Sequence, residues 1–262
     1  MNEDFEMPQQ SAAAAESEGR FGRDVTIHAI FMRHGEKDAA GKLTDVGREQ
    51  GAARGAALSP KDAIKAETAT VARVMHTIQE VVKGAPHDRK LNLRENTELN
   101  FPCSDKFKND YAAKGEAAGD WFLSFGKEKP DAETVSPEES AEIFAYMVSH
   151  YMDMAPRLYS GSEVDWVHGT QQALAESLLQ RIMIRDVDGK KVTGFEKMGD
   201  IGGTLGYAEG MDFVVKTDEA GTPGIKLDFR GAEYDLDVAK LNELAERYAG
   251  KMKDRNEGSG QK

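Results

Sequence analysis

Cysteine is almost missing from the 262-residue chain. Cys103 stands alone, which excludes an intrachain disulfide and any zinc site built from several thiolates. Long apolar runs are missing too: the longest, residues 143–148, falls far short of the roughly 20 that cross a bilayer. Basic residues are the minority, 34 against 46 acidic, for a formal net charge of −12. The long-range field therefore repels polyanions, and no nucleic-acid partner is expected. Net charge does not govern a single desolvated pocket, so a local group of Arg and His remains able to hold a small anion. The first six residues are acidic where a secretory signal is basic, and no apolar stretch follows them. Together these features predict a cytoplasmic protein with no membrane partner.

A chain of this length buries roughly 70–75% of the surface that its unfolded form exposes, so its core needs neither disulfide nor structural metal. Residues 1–22, with a run of four alanines and no apolar period, are expected to be a disordered tail, as are residues 255–262. A single domain is expected over 23–254. Val25, Ile27, Ala29, Ile30, Phe31 and Met32 form a nearly continuous apolar run, the pattern of a strand buried on both faces. A second strand is predicted around Ala63, Ile64 and Ala66, followed by a one-sided helix through Val74, Ile78 and Val81. A third strand holds Val164, Trp166 and Val167 and ends before His168, with a helix through Leu174, Leu178 and Ile182 after it. Strand then helix, three times, predicts an α/β protein with a mostly parallel sheet. Residues 84–136, broken by Pro86, Pro102 and Pro130, are expected to be loops and short helices lying over the sheet as a cap. Met211–Val215 and Ile225–Phe229, with Gly and Pro between them, predict a hairpin at the sheet edge.

The first strand ends in Arg33-His34-Gly35-Glu36, and Leu43-Thr44-x-x-Gly47-x-x-Gln50 opens the next helix with Thr44 as its N-cap. In open α/β sheets ligands bind outside the carboxyl ends of the strands. A neutral imidazole there is nucleophilic at one nitrogen when the other donates its proton to a fixed acceptor, and a neighbouring Arg offers a planar fork of donors to phosphate oxygens. The spread charge of a phosphoryl group calls for further cations from neighbouring strands.

Taken as a set over residues 25–53, these motifs resemble the histidine phosphatase superfamily, whose phosphoglycerate mutase-like members carry RHG(E) followed by LTxxGxxQ. The resemblance implies a three-layer α/β/α sandwich with His34 as the phosphoryl acceptor and Arg33 as a phosphate ligand. Arg73, in Thr70-Val71-Ala72-Arg73-Val74-Met75-His76-Thr77, is similar to the family's second phosphate-binding arginine, although Thr68 and Ala69 stand where serines are usual. His168-Gly169 resembles the second histidine of the family, which donates to the phosphate; the plain alternative is a structural histidine at a strand end. The proton donor to the leaving alcohol is implied to be Glu95 or Glu98, in Leu93-Arg94-Glu95-Asn96-Thr97-Glu98-Leu99. The implied activity is cleavage of a phosphate monoester without metal or other cofactor, the partner being a small phosphorylated substrate or a phosphoprotein. A phosphomutase, or an idle relative that binds phosphorylated ligands or proteins, is the alternative.

Other features receive plainer readings. His28 is expected to be a satisfied core histidine, and His76, His87 and His150 surface residues. Gly199–Gly206 lacks the context of a P-loop or dinucleotide site and is expected to be a mobile connection. Lys106, Lys108, Lys114, Trp121, Phe122 and Phe125 of the cap either line a pocket or pack.

Overall fold

The computed structural model describes residues 20–259. Residues 1–19 of the expected N-terminal tail and residues 260–262 lie outside the described residues.

The central strand, β1 (Thr26–Arg33), takes both of its faces into the core. Ile27, Ala29 and Phe31 join one apolar cluster, and Ile30 and Met32 join the other, as the two-residue period of a strand requires. After it come helix α1 (Asp45–Ala56), β2 (Ala63–Thr68), α2 (Ala72–Gly84) and a two-residue strand, β3 (Arg94–Glu95). Helices α3 (Asp105–Ala113) and α4 (Ala118–Leu123) precede the long α5 (Pro137–Met154), which begins on a capping box between Ser136 and Glu139. Strand β4 (Glu163–Thr170) and helix α6 (Leu174–Ile182) follow. The chain then runs through β5 (Met183–Val187), β6 (Lys190–Thr193), β7 (Gly210–Thr217), β8 (Pro223–Phe229) and β9 (Ala232–Leu236) before α7 (Val238–Ser259). This last helix carries residues 255–259 of the expected C-terminal tail.

Among the described residues nine strands form one sheet in the order β3-β2-β4-β1-β7-β8-β9-β5-β6. The half from β3 to β1 is parallel, and antiparallel strands extend it from β7 outward. Helices α1 and α2 lie over one face and α5, α6 and α7 over the other, giving three layers. The hairpin β7–β8 is internal, contrary to the expectation of an edge: β7 pairs with β1, and its Met211, Phe213, Val214 and Val215 are all buried. An apolar run on both faces belongs inside a sheet.

Glycine sets the distance between α1 and α2. The buried residues of α1 are Gly47, Gly51 and Gly55, one per turn along a single face. A Cβ on Gly55 would stand 2.1 Å from the Val81 carbonyl oxygen, and one on Gly51 would stand 2.9 Å from that of Thr77. The helices therefore meet backbone to backbone and hold the loop before α1 close to α2.

Three histidines away from the candidate motifs also find places. His28 is half-buried and donates from Nδ1 to Asp212 Oδ2 at 2.6 Å. His87, expected at the surface, is buried, its Nε2 3.0 Å from Asp165 Oδ2. The loop after α2 turns back along β2, where Ile64 and Leu91 donate to the carbonyls of Arg89 and Ile64, and this carries His87 under the sheet. His150 is exposed.

Candidate active site

At the carboxyl end of β1 the chain turns sharply through Gly35. A Cβ there would lie 2.4 Å from the Gly47 carbonyl oxygen, and a Cβ on Gly47 would lie 2.3 Å from that of Glu36. The glycines of the two motifs thus make room for each other. Thr44 caps α1 by accepting from the Gly47 amide at 3.0 Å, and the Gln50 side-chain carbonyl accepts from the Glu36 amide at 2.8 Å. From α2, the Thr77 hydroxyl accepts from the Gly35 amide at 2.9 Å and donates to the Arg73 carbonyl at 2.8 Å. Thr44, Gly47, Gln50 and Thr77 fix the frame that presents His34.

His34 is buried, and its Nδ1–H donates to the Gly35 carbonyl at 2.7 Å. That bond assigns the proton to Nδ1 and leaves the lone pair on Nε2. Burial, aided by the charges of Arg73, Arg33 and Lys37, pushes the imidazole pKa down to about 4, against the pull of the Gly35 carbonyl. The ring is therefore neutral at pH 7.

His34 lines a cavity of about 760 Å³ together with Arg33, Arg73, Lys37 and Lys108. Arg33 donates to the Leu205 carbonyl at 2.7 Å and stacks on Tyr207, its guanidinium carbon 4.3 Å from the ring centre. Arg73 donates to Gln171 Oε1 at 2.8 Å. Nε of each arginine is buried with no hydrogen-bond partner. The segment 199–206, expected to be a mobile connection, is instead tied down: Arg230 donates to the carbonyls of Ile201, Gly203 and Thr204 and pairs with Glu209. Its Leu205 carbonyl orients Arg33.

The cavity does not take in every residue that the motifs suggested. His168 lies within β4, whose strand continues through Thr170, and is paired in register with Phe31. It stacks on Phe31 with ring centres 4.5 Å apart, and its Nε2 shares a 2.6 Å hydrogen bond with the Tyr151 hydroxyl of α5. Fully buried there, it has a pKa pushed down to about 3 by desolvation, and it does not line the cavity. Arg33 pairs with Thr170 in the β1–β4 register, so one step further Gln171 stands across from His34. The glycine after His168 has a packing role: a Cβ on Gly169 would lie 2.4 Å from Ile78 Cγ1 of α2.

Neither candidate acid reaches the cavity. Glu95 is exposed on the edge strand β3, in register with Thr68. Glu98 accepts from the Tyr248 hydroxyl of α7 and lines a separate cavity with Lys129, Glu139 and Lys251. In both cases the short structure after β2 directs the carboxylate away from the carboxyl end of β1.

The cap supplies the outer wall instead. Phe101, Pro102, Phe107 and Tyr111 line the cavity beside Lys108. Trp121 packs behind them with its ring 5.1 Å from that of Phe107, and Phe122 lies 5.2 Å from Phe101. The motifs gave no sign of Gln171 or Tyr111, because neither belongs to a spacing pattern; only the end of β4 and the path of α3 bring them in.

Among the described residues no group of three or more His, Cys, Asp or Glu is placed to hold a metal ion, and no helix is long and apolar enough to cross a membrane.

No protein-family model and no curated protein matches the chain. Solved structures similar to it carry the names of hydrolases and phosphatases. "Mycobacterial hydrolase 1" is 15% identical over 78% of this chain and 98% of its own, with a TM-score of 0.49. The mycobacterial glucosyl-3-phosphoglycerate phosphatase is 16% identical over 78% and 98%, at 0.46. The phosphoserine phosphatase of Entamoeba histolytica, solved with 3-phosphoglyceric acid, is 14% identical over 80% and 96%, at 0.43.

Proposed function

We propose that the chain is a metal-independent phosphohydrolase that takes the phosphoryl group of a monoester onto His34. The observation that carries this reading is the state of His34 itself: a neutral ring, its Nδ1–H held by the Gly35 carbonyl, set among Arg33, Arg73 and Lys37. Cations gathered around a partly desolvated nucleophile favour the charge that spreads over the phosphoryl oxygens in transfer. In this reaction Nε2 forms a bond to phosphorus as the ester P–O bond breaks, and the ester oxygen leaves with the bonding electron pair and takes its proton from solvent. Water then attacks the phosphohistidine, the P–N bond breaks, and orthophosphate and neutral His34 are regained.

A second reading is a relative that binds phosphorylated ligands without turning them over. It is supported by the placement of Gln171, an uncharged amide, across from His34, and by the distance of His168, Glu95 and Glu98 from the cavity. One experiment separates the two. Wild type and His34→Ala are incubated with an aryl phosphate in excess chelator, and acid-labile phosphate on the protein is measured alongside release of the phenol. Turnover with a label that maps to His34, both lost in the variant, supports the hydrolase. Phosphate binding by folded wild type without turnover or label supports the binding reading.

A further inference from the structure

None of the described residues lining the His34 cavity is an Asp or a Glu. Of its charged groups, Arg33, Lys37 and Arg73 serve a dianion, Lys108 is paired with Asp105 at 2.9 Å, and none is a carboxylic acid able to protonate a leaving alkoxide. The wall that faces the cations is aromatic. Phe101, Phe107 and Tyr111 come from the segment before α3 and from α3 itself. Phe101 and Phe107 meet edge to face at 5.6 Å, and Phe101 and Tyr111 at 6.5 Å, so they form one interlocked surface backed by Trp121 and Phe122. The Tyr111 hydroxyl is buried away from solvent without a hydrogen-bond partner, so it is the ring that this residue offers to a ligand.

We infer that the substrates of this cavity are aryl phosphate esters, with the phenyl ring against Phe101, Phe107 and Tyr111 and the phosphoryl group among the arginines at His34. This inference rests on the phosphotransfer reading above. A phenol has a pKa of about 10, that of the tyrosine side chain, and its oxygen departs as phenolate with the electron pair of the broken P–O bond. An alkyl alcohol is a far weaker acid than a phenol, close to water itself, and requires a proton from an acid. Solvent protonates the phenolate after release. Aromatic side chains favour offset or edge-to-face contact with a further ring, which gives the wall selectivity for the leaving group.

The test is a series of substituted phenyl phosphates of graded phenol pKa set beside a simple alkyl phosphate, with wild type and His34→Ala. In parallel, phenyl and propyl phosphonates, which cannot turn over, are compared for affinity. The expected result is a steep fall in kcat/KM as the phenol pKa rises. The alkyl ester should be slower by at least about 100-fold, the lower end of a general acid's contribution of about 10²–10⁴. Phenylphosphonate should bind more tightly than propylphosphonate. Equal rates on alkyl and aryl esters, all dependent on His34, would overturn the aryl inference and leave the hydrolase standing. No label on His34 from any ester would overturn the hydrolase, and equal phosphonate affinities would then remove the aryl preference as well.

Discussion

Gly35 and Gly47 touch through their backbones, a Cβ on the first falling 2.4 Å from the carbonyl oxygen of the second. The contact ties the turn that carries His34 to the first turn of α1, so two motifs 12 residues apart in sequence form one structural unit. The glycine of RHG is required first by α1, before any ligand approaches.

Gly47→Ala therefore breaks the site from outside it. The new methyl group would meet Glu36 backbone at 2.3 Å, and neither peptide has room to move. Overpacking of this kind costs about 1–3 kcal/mol. We expect a lower midpoint of urea unfolding and loss of His34 labelling. Normal labelling in a variant of unchanged stability would show that the two turns are independent.

Thr77 makes a sharper test because the change can be nearly isosteric. In Thr77→Val the Gly35 amide loses its acceptor, and a buried unpaired donor costs about 1–3 kcal/mol. The Arg73 carbonyl loses a donor as well. The prediction is reduced stability together with weaker binding of vanadate or phosphate, read by calorimetry, and recovery of both in Thr77→Ser. Full affinity in the valine variant would mean that the hydroxyl does not hold the frame.

These relationships explain what the sequence made legible. Residues such as Ile30, Phe31 and Met32 have no place but a central strand, and the spacing of Val74, Ile78 and Val81 admits only a helix with one buried face, so the parallel half of the sheet could be read directly. The glycine and threonine motifs located the carboxyl end of β1 for the same reason. His168 was different. Three residues more of strand, 168–170, moved it from the strand end into the core, on the same face of β4 as Val164 and Trp166, a face that the two-residue period alone would have assigned it. The Glu95–Glu98 segment was illegible because nothing local dictates where a short irregular stretch aims a carboxylate. Strands β5, β6 and β9 were missed because they are short and largely exposed, with no apolar alternation to mark them.

The ionisation of His34 can be followed directly. Its pKa is drawn from the ordinary 6.5 down to about 4, whereas that of His28, hydrogen-bonded to Asp212, is raised in spite of burial. Proton NMR of the histidine ring signals, with His34→Ala as the assignment control, should show the His34 resonance titrating near pH 4 and the His28 resonance above pH 6.5. A His34 midpoint at or above the ordinary value would contradict the neutral nucleophile.

The buried pair His168–Tyr151 carries a prediction about stability and not about catalysis. In the folded chain His168 has a pKa of about 3, while in the unfolded chain it returns to about 6.5. Between these values the unfolded state binds a proton that the folded state refuses. Stability contributed by the neutral ring is thus fully present above pH 6.5 and is lost as the pH falls toward 3, with a limiting slope of about 1.4 kcal/mol per pH unit. His34 adds to the same loss between 6.5 and about 4. Replacing the pair together, His168→Phe with Tyr151→Phe, removes the titrating ring without leaving a buried hydroxyl unpaired, and keeps an aromatic ring against Phe31. Urea unfolding at about pH 7 and about pH 5 should show a smaller acid-induced loss in the double variant than in wild type, with phosphate affinity at neutral pH unchanged. If affinity instead fell with stability intact, His168 would belong to the phosphate site after all.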